Sequence, residues 1–211
     1  MKTSNQASAP DFTIRPFHPS DIPHLYDICL GTGDSGKSAV DQFNDTWLLG
    51  QFYMAPYVHF DPEVCFTLTK NHIPVGYIIG TQDSQAFETW CENIWLPKLR
   101  KRYPMPVKNN TNSDKKDALI IRRIHEGYKL KEAFKPYPAH LHIDILPEGQ
   151  GGGFGRKMTE VFIDRLKELG VSGLHLEVGK KNLGAVRFYE KMGFKQIADY
   201  EYSLGFGMSL E

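Results

Sequence analysis

The chain of 211 residues has no surplus of charge of either sign and no apolar run long enough to cross a bilayer. Its 25 basic residues balance 25 acidic residues, so the formal net charge is zero. This balance gives no reason to expect binding to nucleic acid or to an anionic membrane surface. The first ten residues, MKTSNQASAP, lack the apolar core of a signal peptide. We therefore expect a cytoplasmic protein with no nucleic-acid partner and no membrane partner.

Cysteine is also scarce in this sequence. Cys29, Cys65 and Cys91 are odd in number and form no C-x-x-C pair, which favours unpaired, mostly buried thiols in a reducing compartment. Hydrophobic residues make up 41% of the chain and aromatic residues 12%, enough to build a packed core. The length predicts a single domain that spans residues 1–211.

Strand and helix patterns alternate in the first part of the chain. The predicted elements are a strand at FTIRPF (12–17), a helix at HPSDIPHLYDICL (18–30), and a hairpin formed by VCFTLTK (64–70) and PVGYIIGT (74–81). Ser20 is placed to open the helix as its N-cap. Between these elements, GTGDSGKSAV reads as a mobile loop. Its GDSGKS portion fails the G-x-x-x-x-G-K-[ST] spacing of a nucleotide-binding loop, and no strong strand precedes it.

Residues 82–138 interrupt the alternation with a long helical insertion. It contains two amphipathic segments, FETWCENIWLPKLRKRY and KKDALIIRRIHEGYKL, separated by the polar stretch VKNNTNSD. An insertion of this length with helices of its own is more often a lid or a binding surface than an idle connection. Trp90 and Trp95 are the side chains that we single out as binding candidates there.

The pattern is most regular after the insertion. AHLHIDIL (139–146) and SGLHLEVG (172–179) predict strands, and NLGAVRFYEKMGF predicts a helix capped by Asn182. The helix between the two strands carries apolar residues at a 3.6-residue period: Phe154, Met158, Val161, Phe162, Leu166 and Leu169. One or two strands are expected in DYEYSLGFGMSL (199–210). Strand, helix and strand at this spacing imply a right-handed parallel crossover, and the earlier hairpin implies a mixed sheet covered by helices on both faces.

The loop PEGQGGGFGR (147–156) joins the first of these strands to the crossover helix. Glycines that enter a helix leave its first N–H groups open, and the helix dipole favours an anion there, so the loop is expected to hold a phosphate or pyrophosphate. The dinucleotide fingerprint G-x-G-x-x-G fails, because Arg156 stands at its last position. The remaining pattern is Q-x-x-G-x-G, formed by Gln150, Gly153 and Gly155, and a simple tight turn is its alternative explanation.

The order of these motifs resembles the GNAT superfamily of acyl-CoA N-acyltransferases. The similarity rests on the order of the strand AHLHIDIL, the helix that follows Q-x-x-G-x-G, the strand that contains LEV, Asn182 five residues after Glu177, and FYEKMGF. Before the insertion, IRPFHPSDIPHLYDI and PVGYIIG are also similar to the family. The combination of YPAHLHIDILPE, RFYEKMGF and a helical insertion is similar to the acetyltransferase-like domain of O-GlcNAc hydrolases. That domain has a degenerate phosphate loop, whereas this chain keeps its glycines. The resemblance implies an α/β (α+β) fold with a mixed, mostly antiparallel sheet of about six to seven strands and helices on both faces.

The resemblance further implies acetyl-CoA as the acyl donor. In the family the loop binds the pyrophosphate, pantetheine pairs with the splayed strand before it, and an amide holds pantetheine. Carried over by position, Ile145 N–H becomes the donor to the thioester carbonyl. The residues implied in coenzyme A binding are Ile145, Leu146, Pro147, Gln150, Gly151, Gly152, Gly153, Phe154, Gly155, Arg156 and Asn182.

Tyr189 occupies the general-acid position of the family, twelve residues after Glu177, and its alternative role is a packed aromatic of the helix. Alternation places His140, His142 and Asp144 on one face of their strand, and His175 and Glu177 on one face of the other. Since a strand buried on both faces is apolar throughout, two polar faces indicate a cleft. Asp144 and Glu177 are the candidate bases. The H-x-H-x-D face also suits a metal ion, although buried histidines are more often satisfied by hydrogen bonds, and we predict no metal.

The leading hypothesis is a single-domain acetyl-CoA-dependent N-acetyltransferase in which an unidentified acceptor amine attacks directly. The rival is a catalytically weak acyl-CoA-binding or interaction module. The acceptor is left open among small amines, amino sugars, antibiotics, peptide N-termini and lysines, and a homodimer is possible.

Overall fold

The computed structural model describes residues 10–106 and 116–211 of the chain. Two features discussed above lie outside these ranges: the polar stretch VKNNTNSD and all but the last residue of MKTSNQASAP. Among the described residues, no helix combines the length and the apolar character needed to cross a bilayer. The three cysteines are free and buried, as predicted.

A seven-stranded mixed sheet forms the centre of the fold, in the order β1-β2-β3-β4-β5-β7-β6. Its strands are β1 (Phe12–Pro16), β2 (Phe66–Lys70), β3 (Ile73–Thr81), β4 (Ala139–Ile145), β5 (Gly173–Gly179), β6 (Lys195–Asp199) and β7 (Ser203–Ser209). All neighbours pair antiparallel except β4 and β5, which are parallel. The predicted fold class, a mostly antiparallel mixed sheet with helices on both faces, is confirmed.

Within residues 10–106 and 116–211, eight α-helices cover the two faces of the sheet. They are α1 (Ile22–Thr32), α2 (Leu48–Tyr53), α3 (Ala55–Phe60), α4 (Ser84–Trp90), α5 (Leu96–Arg102), α6 (Asp117–Glu126), α7 (Phe154–Glu168) and α8 (Leu183–Lys191), with a π-helical turn at Cys91–Trp95. Buried side chains of α1 to α6 form one cluster with Tyr77 and Ile79 of β3. Buried side chains of α7 and α8 form a second cluster with Ile78 and Leu141. Because neighbouring strand residues point to opposite faces, the two clusters lie on opposite sides of the sheet.

The start of the first helix differs from the sequence prediction, in which Ser20 is the N-cap. A short 3-10 turn at Pro19–Asp21 precedes α1 and is capped by His18, whose Nδ1 accepts the backbone N–H of Ser20. The N-cap residue of α1 itself is Asp21. Pro23 lies in the first turn of α1, where a residue without an N–H costs no hydrogen bond. The α-helix therefore begins two residues after Ser20, and the prediction for that residue is wrong.

Three elements lie outside the predicted segments. Helices α2 and α3 arise from LLGQFYMAPYVHF, which is apolar almost throughout and shows no amphipathic period, because most of it is buried. The short strand β6 has the opposite character: it is an edge strand with no buried residue, so it lacks the apolar alternation that marks a strand. Elements that are either wholly buried or wholly at the edge carry little periodic signal.

Candidate active site

The sheet opens between its two parallel strands. β4 and β5 are paired only at Ala139 with Leu174 and at His140 with His175, so the strands separate beyond these pairs. The N–H of Leu146 donates to the carbonyl of Val75 on the β3 side, at 2.9 Å. Successive residues of a strand direct their backbone polar groups to opposite neighbours. The N–H of Ile145 therefore faces the opening between β4 and β5.

The glycine loop lies at the outer end of this opening. Gly153 is the N-cap residue of α7 with φ of 76°, and Gly151 has φ of 81°, conformations that favour glycine. No side chain from the described part of the molecule caps the helix, and its first turn holds no acidic residue. A Cβ atom added at either glycine would meet no described atom within 4 Å. The loop thus combines backbone that requires glycine with free space in front of the open N–H groups of α7, and this arrangement fits an anion.

A cavity of about 450 Å³ borders the loop. It is lined by Ile145, Gly149, Gln150, Gly151, Gly153, Phe154, Gly155, Arg156, Phe188, Lys191 and Met192. Arg156 and Lys191 supply positive charge, and Phe154, Phe188 and Met192 supply apolar wall. A ligand that joins anionic groups to flat apolar parts fits such a lining.

Seven of the eleven residues that the resemblance implies in coenzyme A binding line this cavity, and four do not. Gly152 is exposed, and an added Cβ there would come within 2.6 Å of the Phe154 ring. Leu146 belongs to the apolar cluster on the α1 side of the sheet, and Pro147 begins a 3-10 turn. Asn182 caps α8, with its Oδ1 accepting the N–H of Ala185 at 3.1 Å.

Asn182 also lines a second, polar cavity of about 360 Å³. The wall opposite α8 is formed by the turn at Asp34 to Lys37, part of the stretch that the sequence suggests as a mobile loop. Sequence reasoning missed four lining residues of the first cavity: Gly149, Phe188, Lys191 and Met192. For the last three, the spacing of three and four residues on α8 was the available signal, since it places them on one face of a helix.

Tyr189 follows Phe188 on α8 but does not line that cavity, and it packs among the rings of Phe194 and Phe206. It is 7% exposed, and burial raises the pKa of its hydroxyl, with a smaller contribution from the charge of Asp144. The hydroxyl has no hydrogen bond within the part of the chain that the structure describes. The single buried side-chain polar atom without a partner there is Oε1 of Gln42, so the Tyr189 oxygen is not sealed from solvent. The hydroxyl is consequently neutral and unengaged.

The face of β4 and β5 opposite Tyr189 carries the polar residues that alternation predicts. The Tyr77 hydroxyl donates to Oδ2 of Asp144 at 2.6 Å. Burial raises the pKa of Asp144, although the hydrogen bonds from Tyr77 and Thr32 oppose the rise. Glu177 accepts Lys131 Nζ on Oε2 at 2.6 Å and the Ser203 hydroxyl on Oε1 at 2.5 Å. Both candidate bases thus already hold hydrogen-bond partners.

The three histidines of this face are held by hydrogen bonds. His140 contacts Ser84 Oγ through Nδ1 at 2.6 Å and the Tyr57 hydroxyl through Nε2 at 3.0 Å. Nε2 of His142 contacts the same hydroxyl at 3.1 Å. Nδ1 of His175 contacts the carbonyl of Tyr137 at 2.7 Å. No group of three or more metal-ligating side chains within residues 10–106 and 116–211 is arranged to hold an ion.

Burial lowers the pKa of all three histidines. The pKa falls to about 4 for His142 and His175, and that of His140 lies well below the usual 6.5. Repulsion from neighbouring imidazoles adds to the shift for His140 and His142. These side chains are therefore neutral at physiological pH.

This arrangement predicts a loss of stability in mild acid. Below pH 6.5 the unfolded chain protonates these histidines while the folded protein does not, so the free energy of unfolding falls as the pH drops from about 6.5 to about 4. For one histidine the full loss is about 3 kcal/mol. Urea unfolding at pH 7.5, 6, 5 and 4.5, followed by tryptophan fluorescence, measures it. A His175→Gln variant should show a shallower dependence; equal stability of wild type at pH 7.5 and 5 would contradict the account.

Residues 82–138 reach this polar face through side chains other than their tryptophans. Trp90 and Trp95 stack on each other, with ring centroids 5.9 Å apart, and pack on α3 through Phe60 and His59. Lys131 instead pairs with Glu177. Arg123, from the same segment, donates to the hydroxyl of Tyr53, whose ring lies 6.0 Å from that of His142.

Comparisons with known proteins agree with this geometry. A model of the "Acetyltransferase (GNAT) family" matches residues 122–194. The crystal structure of SsHAT superposes with a TM-score of 0.86 at 34% identity, covering 96% of this chain and 100% of that chain. Protein O-GlcNAcase of Rattus norvegicus is 27% identical over 192 residues, which are 90% of this chain. The chain spans about a fifth of that protein's length, 21%.

The structure of yncA from Salmonella typhimurium, solved with its cofactor acetyl-CoA, is similar in fold. It has a TM-score of 0.54 at 14% identity, covering 95% of this chain and 94% of that chain. The match of the family model to β4, the glycine loop, β5 and α8, together with 34% identity along the whole of SsHAT, identifies the family. The chain belongs to the GNAT family of acetyltransferases.

Proposed function

We propose that the protein is an N-acetyltransferase that transfers the acetyl group of acetyl-CoA directly to an amine. The observation that carries the proposal is the opening between β4 and β5, which has the glycine loop at its outer end and, along its side, β4 backbone groups that pair with no strand. The carbonyl of Ile145 there accepts Nε2 of Gln150 at 2.7 Å. An extended arm that pairs with those groups as an added strand would lie between the loop and the last strand pair. The pantetheine arm of coenzyme A has this extended form and amide chemistry.

The glycine loop is the proposed pyrophosphate site. The first N–H groups of α7 are open, and Arg156 and Lys191 line the adjoining cavity, so several donors and two cations converge on the space left free at Gly151 and Gly153. The acetyl-CoA held by yncA supports the same ligand here. Acetyl-CoA, when bound, supplies an acetyl group activated as a thioester.

Two groups of the chain are proposed to act on that thioester. The N–H of Ile145 faces the opening and would donate to the carbonyl oxygen, where negative charge develops during attack. The Tyr189 hydroxyl is neutral and unengaged, so it holds the proton that the departing sulfur requires. Burial, and to a smaller extent the charge of Asp144, raises the pKa of this hydroxyl and so keeps its proton in place.

The polar face formed by β4 and β5 is the proposed acceptor side. Asp144 and Glu177 bring negative charge to it, which favours a cationic amine, and both remain candidate bases. Either carboxylate would first have to exchange one of its present partners. We propose that residues 82–138 form an insertion within a single domain and shape this side through Lys131 and Arg123.

A catalytically weak acyl-CoA-binding module is the second candidate. The observation in its favour is that 90% of the chain is similar to about a fifth of a protein named for a different activity, Protein O-GlcNAcase. A module of this kind would keep the loop and the opening but would turn over no amine.

One assay separates the two candidates. Thiol release from acetyl-CoA is measured with a panel of primary amines: glucosamine, spermidine, an aminoglycoside, a peptide with a free N-terminal alanine and a lysine-containing peptide. Calorimetry with coenzyme A runs in parallel. We expect binding together with acetylation of at least one amine, confirmed by mass spectrometry. Binding without turnover of any amine would favour the module, and absence of binding would refute both.

A further inference from the structure

A chain of hydrogen bonds links four side chains on the acceptor face and leaves one nitrogen unpaired. This series of hydrogen bonds runs from Ser84 to His140, then to Tyr57 and then to His142. It begins at a backbone carbonyl, because Ser84 Oγ lies 2.6 Å from the oxygen of Pro138. A carbonyl oxygen only accepts, so the Ser84 hydroxyl must donate to it.

This fixed end sets the direction of every other bond. With its proton given to Pro138, Ser84 accepts from Nδ1–H of His140. His140 is neutral, since burial holds its pKa well below 6.5, so its Nε2 carries a lone pair and accepts the Tyr57 hydroxyl. The Tyr57 oxygen has then spent its only proton and must accept from Nε2–H of His142. His142 is thereby held in the Nε2–H tautomer, with a free lone pair on Nδ1.

The free nitrogen lies next to the opening of the sheet. His142 is two residues beyond His140, the last β4 residue paired with β5. Nδ1 has no hydrogen bond among the described residues, and it is not among their buried unpartnered atoms, so it reaches accessible space. Its side chain points to the face opposite the cluster that contains Tyr189. An amine that approached from the acceptor face would meet this lone pair.

We propose that Nδ1 of His142 receives the proton that the acceptor amine loses during attack, with Tyr57 and His140 as positioning residues. The inference rests on the proposed acetyl transfer. The amine nitrogen forms a bond to the carbonyl carbon of the acetyl group, and the bond from that carbon to sulfur breaks. The nitrogen's proton passes to His142, and sulfur takes the proton of Tyr189. After the step His142 is an imidazolium and Tyr189 is a phenolate. Water then carries one proton from His142 to Tyr189, which restores both side chains.

His142 remains a proton acceptor over a wide pH range. The titratable and charged groups that surround it are Tyr53 and Tyr57 from α2 and α3, Tyr77 from β3, His140 and Asp144 from β4, His175 and Glu177 from β5, and Arg123 from α6. Burial and His175 lower its pKa to about 4. The imidazole is therefore free to accept a proton at any pH above that value, and the attacking nitrogen is acidic enough to give one to a weak base.

The first test reads the tautomer without any acceptor. Long-range ¹H–¹⁵N correlation spectra of the ¹⁵N-labelled protein at pH 7 report which imidazole nitrogen carries hydrogen, and the spectrum of His142→Gln identifies the signals of His142. We expect a neutral ring protonated at Nε2. A ring protonated at Nδ1, or an imidazolium, would overturn the proposal. Tyr57→Phe should mix the tautomers, and an unchanged tautomer in that variant would contradict the role of Tyr57.

The second test is kinetic and uses the best acceptor from the amine panel. Glutamine keeps a donor near the position of Nε2 but has no lone pair at Nδ1, so His142→Gln should lower kcat by about 10²–10⁴-fold while acetyl-CoA affinity stays unchanged. The acidic limb of kcat, expected in wild type as the pH falls toward the His142 pKa of about 4, should disappear. His125→Gln is the matched control, because His125 is also half-buried and bonded, at 2.8 Å, to the carbonyl of Tyr103.

The outcomes separate this inference from the proposed function. If wild type turns over an amine and the kcat of His142→Gln is within twofold of the wild-type value, the role of His142 is overturned. The proposed acetyltransferase activity would still stand. No turnover by wild type would remove both. If His142→Gln fails to fold, Tyr57→Phe takes its place: it should lower kcat about tenfold, as an unfixed tautomer misplaces the lone pair, and an unchanged kcat would count against the proposal.

Discussion

A Gly153→Val protein should bind coenzyme A at least a hundredfold more weakly than wild type. Gly153 has φ of 76°, which a β-branched residue adopts only with strain, and its Cβ would enter the free space before the N–H groups of α7. Both effects act on the proposed pyrophosphate site. Calorimetry with coenzyme A measures the change, and circular dichroism checks that the variant is folded.

Gly170→Val is the matched control for this substitution. Gly170 has φ of 73° at the other end of α7, and an added Cβ there also meets nothing within 4 Å. The backbone strain is therefore similar, of about 1–3 kcal/mol, but the site lies outside the cavity beside the glycine loop. Equal affinities in wild type and a folded Gly153→Val protein would remove the loop from the binding site.

A Tyr189→Phe protein should lose about 10²–10⁴-fold in kcat with little change in acetyl-CoA affinity. The hydroxyl has no hydrogen bond among the described residues, so its removal leaves no partner unsatisfied. The ring packs among Phe194 and Phe206 in either variant, and stability should change by less than about 1 kcal/mol. Steady-state kinetics with the best amine of the panel and thermal unfolding measure the two quantities.

Tyr26→Phe provides the comparison for Tyr189→Phe. Tyr26 is 8% exposed, and burial raises the pKa of its hydroxyl to about 12, but it lies in the cluster of α1 to α6 beside Trp47. It should keep full activity. If Tyr189→Phe is within twofold of wild type in kcat, Tyr189 is a packing residue of α8 and another group protonates the sulfur.

The sequence predicts β4, α7 and β5 well because local signals are strong there. The 3.6-residue period of α7, the glycines before it and the alternation of apolar and polar residues in β4 and β5 each depend on neighbours along the chain. The family resemblance placed Tyr189 and the loop on this frame. Helices α2 and α3 lack such a period, and Tyr57 within α3 was not recognised.

The part of the proposed site that the sequence does not predict depends on contacts between residues far apart along the chain. Tyr57 lies 83 residues before His140 and 85 before His142, and only the fold brings the three together. The strand pattern showed that the histidines share a face. It gave no information on which hydroxyl bonds them, and so none on which imidazole nitrogen stays free.

The single short ladder between β4 and β5 has a thermodynamic consequence. It divides the sheet into β1 to β4 on one side and β5, β7 and β6 on the other, joined through two residue pairs and the helices packed across them. A ligand that pairs with β4 in the opening adds contacts at the weakest junction of the sheet, and at a hundred times its Kd it adds about 2.7 kcal/mol to the free energy of unfolding. The melting temperature of the protein is therefore expected to depend on the concentration of the acyl donor in solution.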